Sequence, residues 1–254
     1  MRIQLMINTA ICLLLLGWTL LPEPVRGWLF LPLWALAVVL VFSGSIEAAR
    51  LRRRAWLGQY LQAGSPWNHL LRGGVLMISR HLLLALVLAN LMLVKLLIMN
   101  PWLWLVLLLN LPLLAGLTAG VRARLQRHAK PEVVRPLARR IIVPVNVSLL
   151  LLVYLLVSLN LSQPNLVGQS WLGAMSGNLP ASSASGTLPG MLMHFQQTLE
   201  LTAQWALQNT LGGQGSGSFL GLLGWSLFFL TSGTFLWAWV RLLVGAEALR
   251  ERNR

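Results

Sequence analysis

Residues 75–121 read VLMISRHLLLALVLANLMLVKLLIMNPWLWLVLLLNLPLLAGLTAGV, and this stretch decides the fold. It holds two long apolar runs, 75–99 and 102–121, parted by Asn100-Pro101. A bilayer core about 30 Å thick needs roughly 20 apolar residues in helical form, and each run supplies them. Neither run carries the one-sided stripe of a soluble amphipathic helix; both are apolar all round. Asn-Pro is turn chemistry, so the stretch reads as a tight hairpin of two membrane-crossing helices.

Outward from this hairpin, four more runs have the same character: 3–21, 28–46, 141–161 and 219–240. Leu21-Pro22-Glu23-Pro24 closes the first. That run begins like a secretory signal, but Trp18, Leu20, Leu21 and Pro22 stand where small residues are needed for cleavage, so it is expected to stay. The expectation is an all-α integral membrane protein. It has one membrane domain of six transmembrane helices and both termini inside.

Composition points the same way. Of 254 residues, 56% are hydrophobic and 10% are charged, against about 25% charged in an ordinary globular domain. A soluble domain, a disordered chain and a disulfide-stapled secreted fold are all excluded. Cys12, the one cysteine, lies inside the first run.

Twenty basic residues face six acidic ones, all glutamate, for a net charge of +14. With the N-terminus inside, 18 of the 20 basic residues fall on cytoplasmic segments, Arg26 and Lys95 being the exceptions. This is the positive-inside pattern, so the charge is a topology signal. No soluble basic face exists to hold nucleic acid, and none is expected as a partner. Trp18, Trp28, Trp102, Trp104 and Trp225 fall near the outer boundary and Trp237 and Trp239 near the inner one, as interfacial aromatics do. Arginine outnumbers lysine 18 to 2 and the loops are short, which fits a multi-pass protein of a bacterial inner membrane.

Two cytoplasmic segments are basic, 47–74 and 122–140. The first carries Arg50, Arg52, Arg53 and Arg54, then Trp56 and Tyr60. Such a stretch suits anionic lipid headgroups or a cytoplasmic partner, and it serves equally as a stop-transfer anchor. In the second, Pro131 and Pro136 are expected to limit helix length. Spans two and six end alike, Glu47-Ala48-Ala49-Arg50 and Glu247-Ala248-Leu249-Arg250. Glu at i with Arg at i+3 makes a weak helical ion pair.

The loop 162–218 falls on the periplasmic side and is too long for a simple connection. Its first part, 162–190, reads as irregular chain, and 191–211 has helical periodicity. Phe195, Leu199, Thr202 and Ala206 share one face, while His194, Gln197, Glu200, Gln204 and Gln208 share the other. This glutamine face, without lysine or arginine, is unlike a helix that grips anionic lipid. It packs at the interface or offers amides to a partner protein. Residues 212–218, all glycine, serine and glutamine, read as a flexible hinge.

Ionisable groups at membrane depth point to function by default, and Lys95 is the candidate. It lies roughly 6–8 Å below the outer boundary at 1.5 Å per residue, so it either snorkels to the interface or faces the bundle interior. Asn90 and Asn110 each stand ten residues from Asn100, on opposite arms of the hairpin. Their amides are expected to bond across the two helices, or else to line a polar site. Pro112 beside Asn110 and Pro144 beside Asn146 loosen the local helix bonds.

Catalytic parts are missing. Aspartate is absent, no span holds two carboxylates, and the four histidines are scattered. His194 and Glu200 are six residues apart, so they point about 120° from each other and make no metal pair. No enzyme, metal or cofactor is expected. Gly116-Leu117-Thr118-Ala119-Gly120 matches the small-xxx-small pattern of close helix packing.

The expected role is a non-catalytic membrane subunit or scaffold of a larger envelope assembly, of secretion, export or conjugation type. Its expected partners are anionic lipids at the inner face and other membrane or envelope proteins. The alternative is a transport permease. In layout the chain resembles the membrane half of ATP-binding-cassette exporters: about 250 residues, six spans, cytoplasmic termini and a helical outer segment before the last span. On that likeness, 47–73 would contain the helix that meets an ATPase.

Overall fold

The computed structural model describes residues 2–60, 74–161, 163–179, 188–211 and 217–252. The described residues form eight α-helices and no strand. They are α1 (Arg2–Thr19), α2 (Glu23–Tyr60), α3 (Val75–Ile98), α4 (Pro101–Leu125), α5 (Pro131–Asn160), α6 (Trp171–Asn178), α7 (Leu188–Leu211) and α8 (Gly217–Arg252). Five of them contain stretches long and apolar enough to cross a membrane: Glu23–Glu47, Val75–Ile98, Pro101–Leu125, Val133–Ser158 and Phe219–Glu251. These helices fit a multi-pass membrane protein.

The expected first span is the exception, because its apolar helix covers only Ile3–Thr19. At 1.5 Å per residue that is about 26 Å, short of a full core. The other expected spans are present, several of them longer than expected. At α4 and α5 the basic segment 122–140 shrinks to a turn at 126–130, since α4 runs to Leu125 and α5 starts at Pro131. Pro131 takes the first helical position, where a missing N–H costs nothing. Pro136 and Pro144 sit inside α5 without ending it. Between α3 and α4, Pro101 opens the helix and the Asn100 side chain caps it, accepting from the Trp102 N–H at 3.0 Å.

The last helix is the centre of the bundle. α8 packs on α7, α2, α5, α3 and α1, whereas α4 packs chiefly on α5 and α1. Trp239 and Phe235 of α8 are fully buried in the core with Leu93, Leu107 and Ile142. Trp104 meets Trp239 edge-on at 6.4 Å, and Tyr154 lies 6.2 Å from Phe235.

α2 and α8 cross at backbone contact. A Cβ at Gly245 would lie 1.8 Å from the Leu40 carbonyl oxygen, and one at Gly44 would lie 2.8 Å from that of Arg241. Ser43 Oγ donates to the Gly245 carbonyl at 3.2 Å. The small-xxx-small match on α4 plays no such part: Cβ atoms at Gly116 and Gly120 would meet nothing within 4 Å.

Candidate functional site

Buried charged side chains collect in two places, near the C-terminal end of α3 and near the start of α5. At the first, here called the loop end, Lys95 is the buried cation. Only 6% of Lys95 is exposed, and its Nζ pairs with Glu200 Oε1 of α7 at 2.5 Å. Lys95 therefore faces the interior. Glu200, expected on a solvated face, is its counter-ion, with its side chain 22% exposed. A lysine at this depth needs an opposite charge, since an isolated buried ion is costly, and α7 brings one.

Both faces of α7 meet the rest of the protein: Glu200 of the polar face reaches Lys95, Ala206 of the apolar face is fully buried, and Phe195 is 58% exposed. Gln196, Ala203, Ala206 and Asn209 are the buried positions of α7. His194 and Gln197 are half-buried, and the amide oxygens of Gln197 and Gln204 are buried without a hydrogen-bond partner among the described residues.

Beside the ion pair is a cavity of about 260 Å³ between α3, α5, α7 and α8. Lys95, Glu200, Tyr154, Gln204, Gln208 and Trp225 contribute to its wall. One ammonium, one carboxylate, a phenol, four amides and three hydroxyls, Ser158, Thr231 and Ser232, line it and suit a small polar molecule. They offer both donors and acceptors. Tyr154 and Trp225 could not be read as neighbours of Lys95 from local pattern, because each lies on a different helix.

The chain 163–179, expected to be irregular, is clasped to α7 by amides. Gln208 accepts from the Leu166 N–H at 2.7 Å and donates to the Pro164 carbonyl at 2.9 Å. Asn209 accepts from the Gly168 N–H at 2.8 Å and donates to the Leu166 carbonyl at 3.1 Å. Gly168 takes a φ of 75°, a conformation that favours glycine. Trp171 Nε1 donates to Thr202 Oγ1 at 3.1 Å, and Trp205 Nε1 donates to the Gln169 carbonyl at 2.9 Å. Leu166, Ala174 and Met175 form a small separate core beneath them. Part of the glutamine and asparagine face thus holds the loop in place. The start of α7 at Leu188 extends the expected helix 191–211 by one turn. Of the expected hinge, residues 212–216 lie outside the described residues, while Gly217 and Ser218 begin α8.

The opposite end, the basic end, holds a charge network that the spacing of single residues did not reveal. Arg139 is 4% exposed and donates through its two terminal nitrogens to Glu47 and to Glu251. Arg122 pairs with Glu247 at 2.7 Å and with Glu251 at 3.6 Å. Gln4 Nε2 of α1 donates to Glu247 at 2.9 Å. Five helices meet in this cluster. Its one sequence signal is the matched Glu-Ala-x-Arg runs on α2 and α8, where Glu47 and Glu247 stand.

Among the remaining candidates, Asn110 is buried and its Oδ1 accepts from Asn146 Nδ2 at 2.8 Å. Its partner is therefore on α5, not Asn90 on α3, which is half-buried. Arg50 is exposed on α2, which continues to Tyr60. The side chains of Arg52, Arg53 and Arg54, and residues 61–73 of the segment 47–74, lie outside the described residues. The chain matches no family model, no curated protein and no solved structure.

Proposed function

We propose that this chain is a non-catalytic subunit of a larger envelope assembly, held in a bacterial inner membrane with both termini in the cytoplasm. The observation that carries this reading is the pair of clamps. Lys95–Glu200 fastens α3 to α7 at the loop end, and the Arg139 and Arg122 network fastens α1, α2, α4, α5 and α8 at the basic end. Charges committed to one another in this way make a fixed platform, and the clasped 163–179 segment with α7 gives that platform a shaped outer surface. Mild detergent extraction followed by native gel electrophoresis and crosslinking mass spectrometry tests it. The protein should migrate with other envelope proteins; a solitary monomer under every extraction condition overturns the reading.

One observation favours transport instead, namely the polar cavity at Lys95 and Glu200. On that reading Ser232, which lines the cavity, meets the outer aqueous phase during turnover. Ser232→Cys in a Cys12→Ala background would then react with a membrane-impermeant thiol reagent from outside. A Ser232→Cys protein inert in intact cells removes this alternative.

A further inference from the structure

The cavity beside Lys95 is walled by polar groups of two kinds, those already bonded and those that are not. Lys95 and Glu200 answer each other's charge at 2.5 Å, and the Gln208 amide is engaged on both sides by the backbone of Leu166 and Pro164. Two other groups are unspent. Gln204 Oε1 is buried with no hydrogen-bond donor among the described residues. Ser232, 3% exposed, has a hydroxyl that bonds to no other described residue. Antiparallel packing of α7 on α8 sets the two in one wall: Thr210 meets Gly221, Leu207 meets Gly224, and further along Gln204 and Ser232 line the cavity together. Burying such a group without a partner costs about 1–3 kcal/mol, so both positions favour a ligand that supplies hydrogen bonds. Trp225 and Phe228 of α8 add aromatic surface to the same cavity, their rings 6.2 Å apart and nearly perpendicular.

We infer that this cavity binds a small uncharged molecule carrying several hydroxyl groups, between glycerol and a hexose in size. The charge balance selects against an ion. Lys95 and Glu200 sum to zero, no other charged side chain among the described residues lines the cavity, and a net charge brought here would lack a counter-ion. A hydroxyl both donates and accepts, which is what an amide oxygen and a serine hydroxyl in one cavity require. The indole and phenyl rings offer apolar surface to the C–H side of such a ligand. At about 30 Å³ per water in the liquid, 260 Å³ holds roughly eight water-sized groups, well beyond a single buried water. The inference takes the cavity of the transport reading as its site, yet it needs neither transport nor the assembly.

Equilibrium dialysis supplies the test. Full-length protein in a polyoxyethylene detergent, whose headgroup carries neither sugar nor charge, is dialysed against radiolabelled glycerol, myo-inositol, D-glucose or glycine. Bound label measures occupancy directly, so general stabilisation by excluded solutes does not enter. At least one of the three polyhydroxy probes should bind saturably at a single site per chain, and glycine should not. Gln204→Leu and Ser232→Ala, each checked for folding by gel filtration, should each weaken that binding about three- to tenfold, the effect of losing one neutral hydrogen bond. Ser176→Ala, at an exposed position of α6 outside the cavity, should leave it unchanged. Glycine binding as tightly as any polyhydroxy probe makes the site one for zwitterions and overturns the inference. Binding of none of the four, or full binding by both Gln204→Leu and Ser232→Ala, overturns it as well. Saturable binding by a protein whose Ser232→Cys form stays inert in intact cells removes transport and leaves this site standing.

Discussion

Lys95 and Glu200 form an ion pair that joins α3 to α7 inside the bundle. An ammonium buried to this degree is stable only beside a counter-charge, and a carboxylate beside it gains as much. Removing either partner should strand the other. Lys95→Met or Glu200→Gln alone is expected to destabilise the protein by about 3–5 kcal/mol. The double substitution Lys95→Met with Glu200→Gln should recover most of that loss. Denaturant unfolding of the four proteins in detergent checks this; additive losses would show that the two side chains act independently. The buried amide pair Asn110 and Asn146 belongs to the same scale, at the lower strength of a neutral interhelical hydrogen bond.

Elements meet in this bundle where side chains are smallest, and the α2–α8 crossing is the closest case. A side chain at Gly245 would collide with the Leu40 carbonyl, whereas Gly116 and Gly120 face open space. Gly245→Val is therefore expected to separate α2 from α8 and cut the yield of folded protein severalfold in fluorescence-detected gel filtration. Gly116→Ala and Gly120→Ala should match or exceed the parent, since alanine in a helix is favoured over glycine by about 0.5–1 kcal/mol. A Gly245→Val protein that folds as well as the parent would refute the crossing. The helices themselves were legible in the sequence because apolarity and turn chemistry are local properties. Which helices touch was not. The Asn100-Pro101 turn made α3 and α4 look like a packed pair, yet Asn110 bonds Asn146, 36 residues away on α5. The two faces of α7 were legible, but not that Glu200 pairs with Lys95, which no local pattern connects to it. Gly-x-x-x-Gly spacing on one helix was likewise visible where it does nothing, while the glycines that matter sit singly on two helices.

For the whole molecule, the separation of charge between the ends sets the proposed topology. Arg122, Arg135, Arg139, Glu47, Glu247 and Glu251 form one cluster at the basic end, and Lys95 with Glu200 stands at the other. The excess of arginine outside the cluster lies at the basic end as well, which supports the placement of that end in the cytoplasm. A fluorescent protein fused after Arg254 should fold and emit, and a periplasm-dependent phosphatase fused at the same point should stay inactive. The reverse result would invert both ends and, with them, the side from which any partner approaches.

The central place of α8 also fixes an order of events during synthesis. The helix that touches α1, α2, α3, α5 and α7 is the last of the eight to be translated. Until it is made, Arg139 has Glu47 of α2 as a counter-ion, whereas both carboxylates that pair with Arg122, Glu247 and Glu251, are still to come. The pairs α2–α3 and α4–α5 can pack before α8 is made, but the full bundle, and the Glu247 and Glu251 contacts with it, can close only after α8 has followed them.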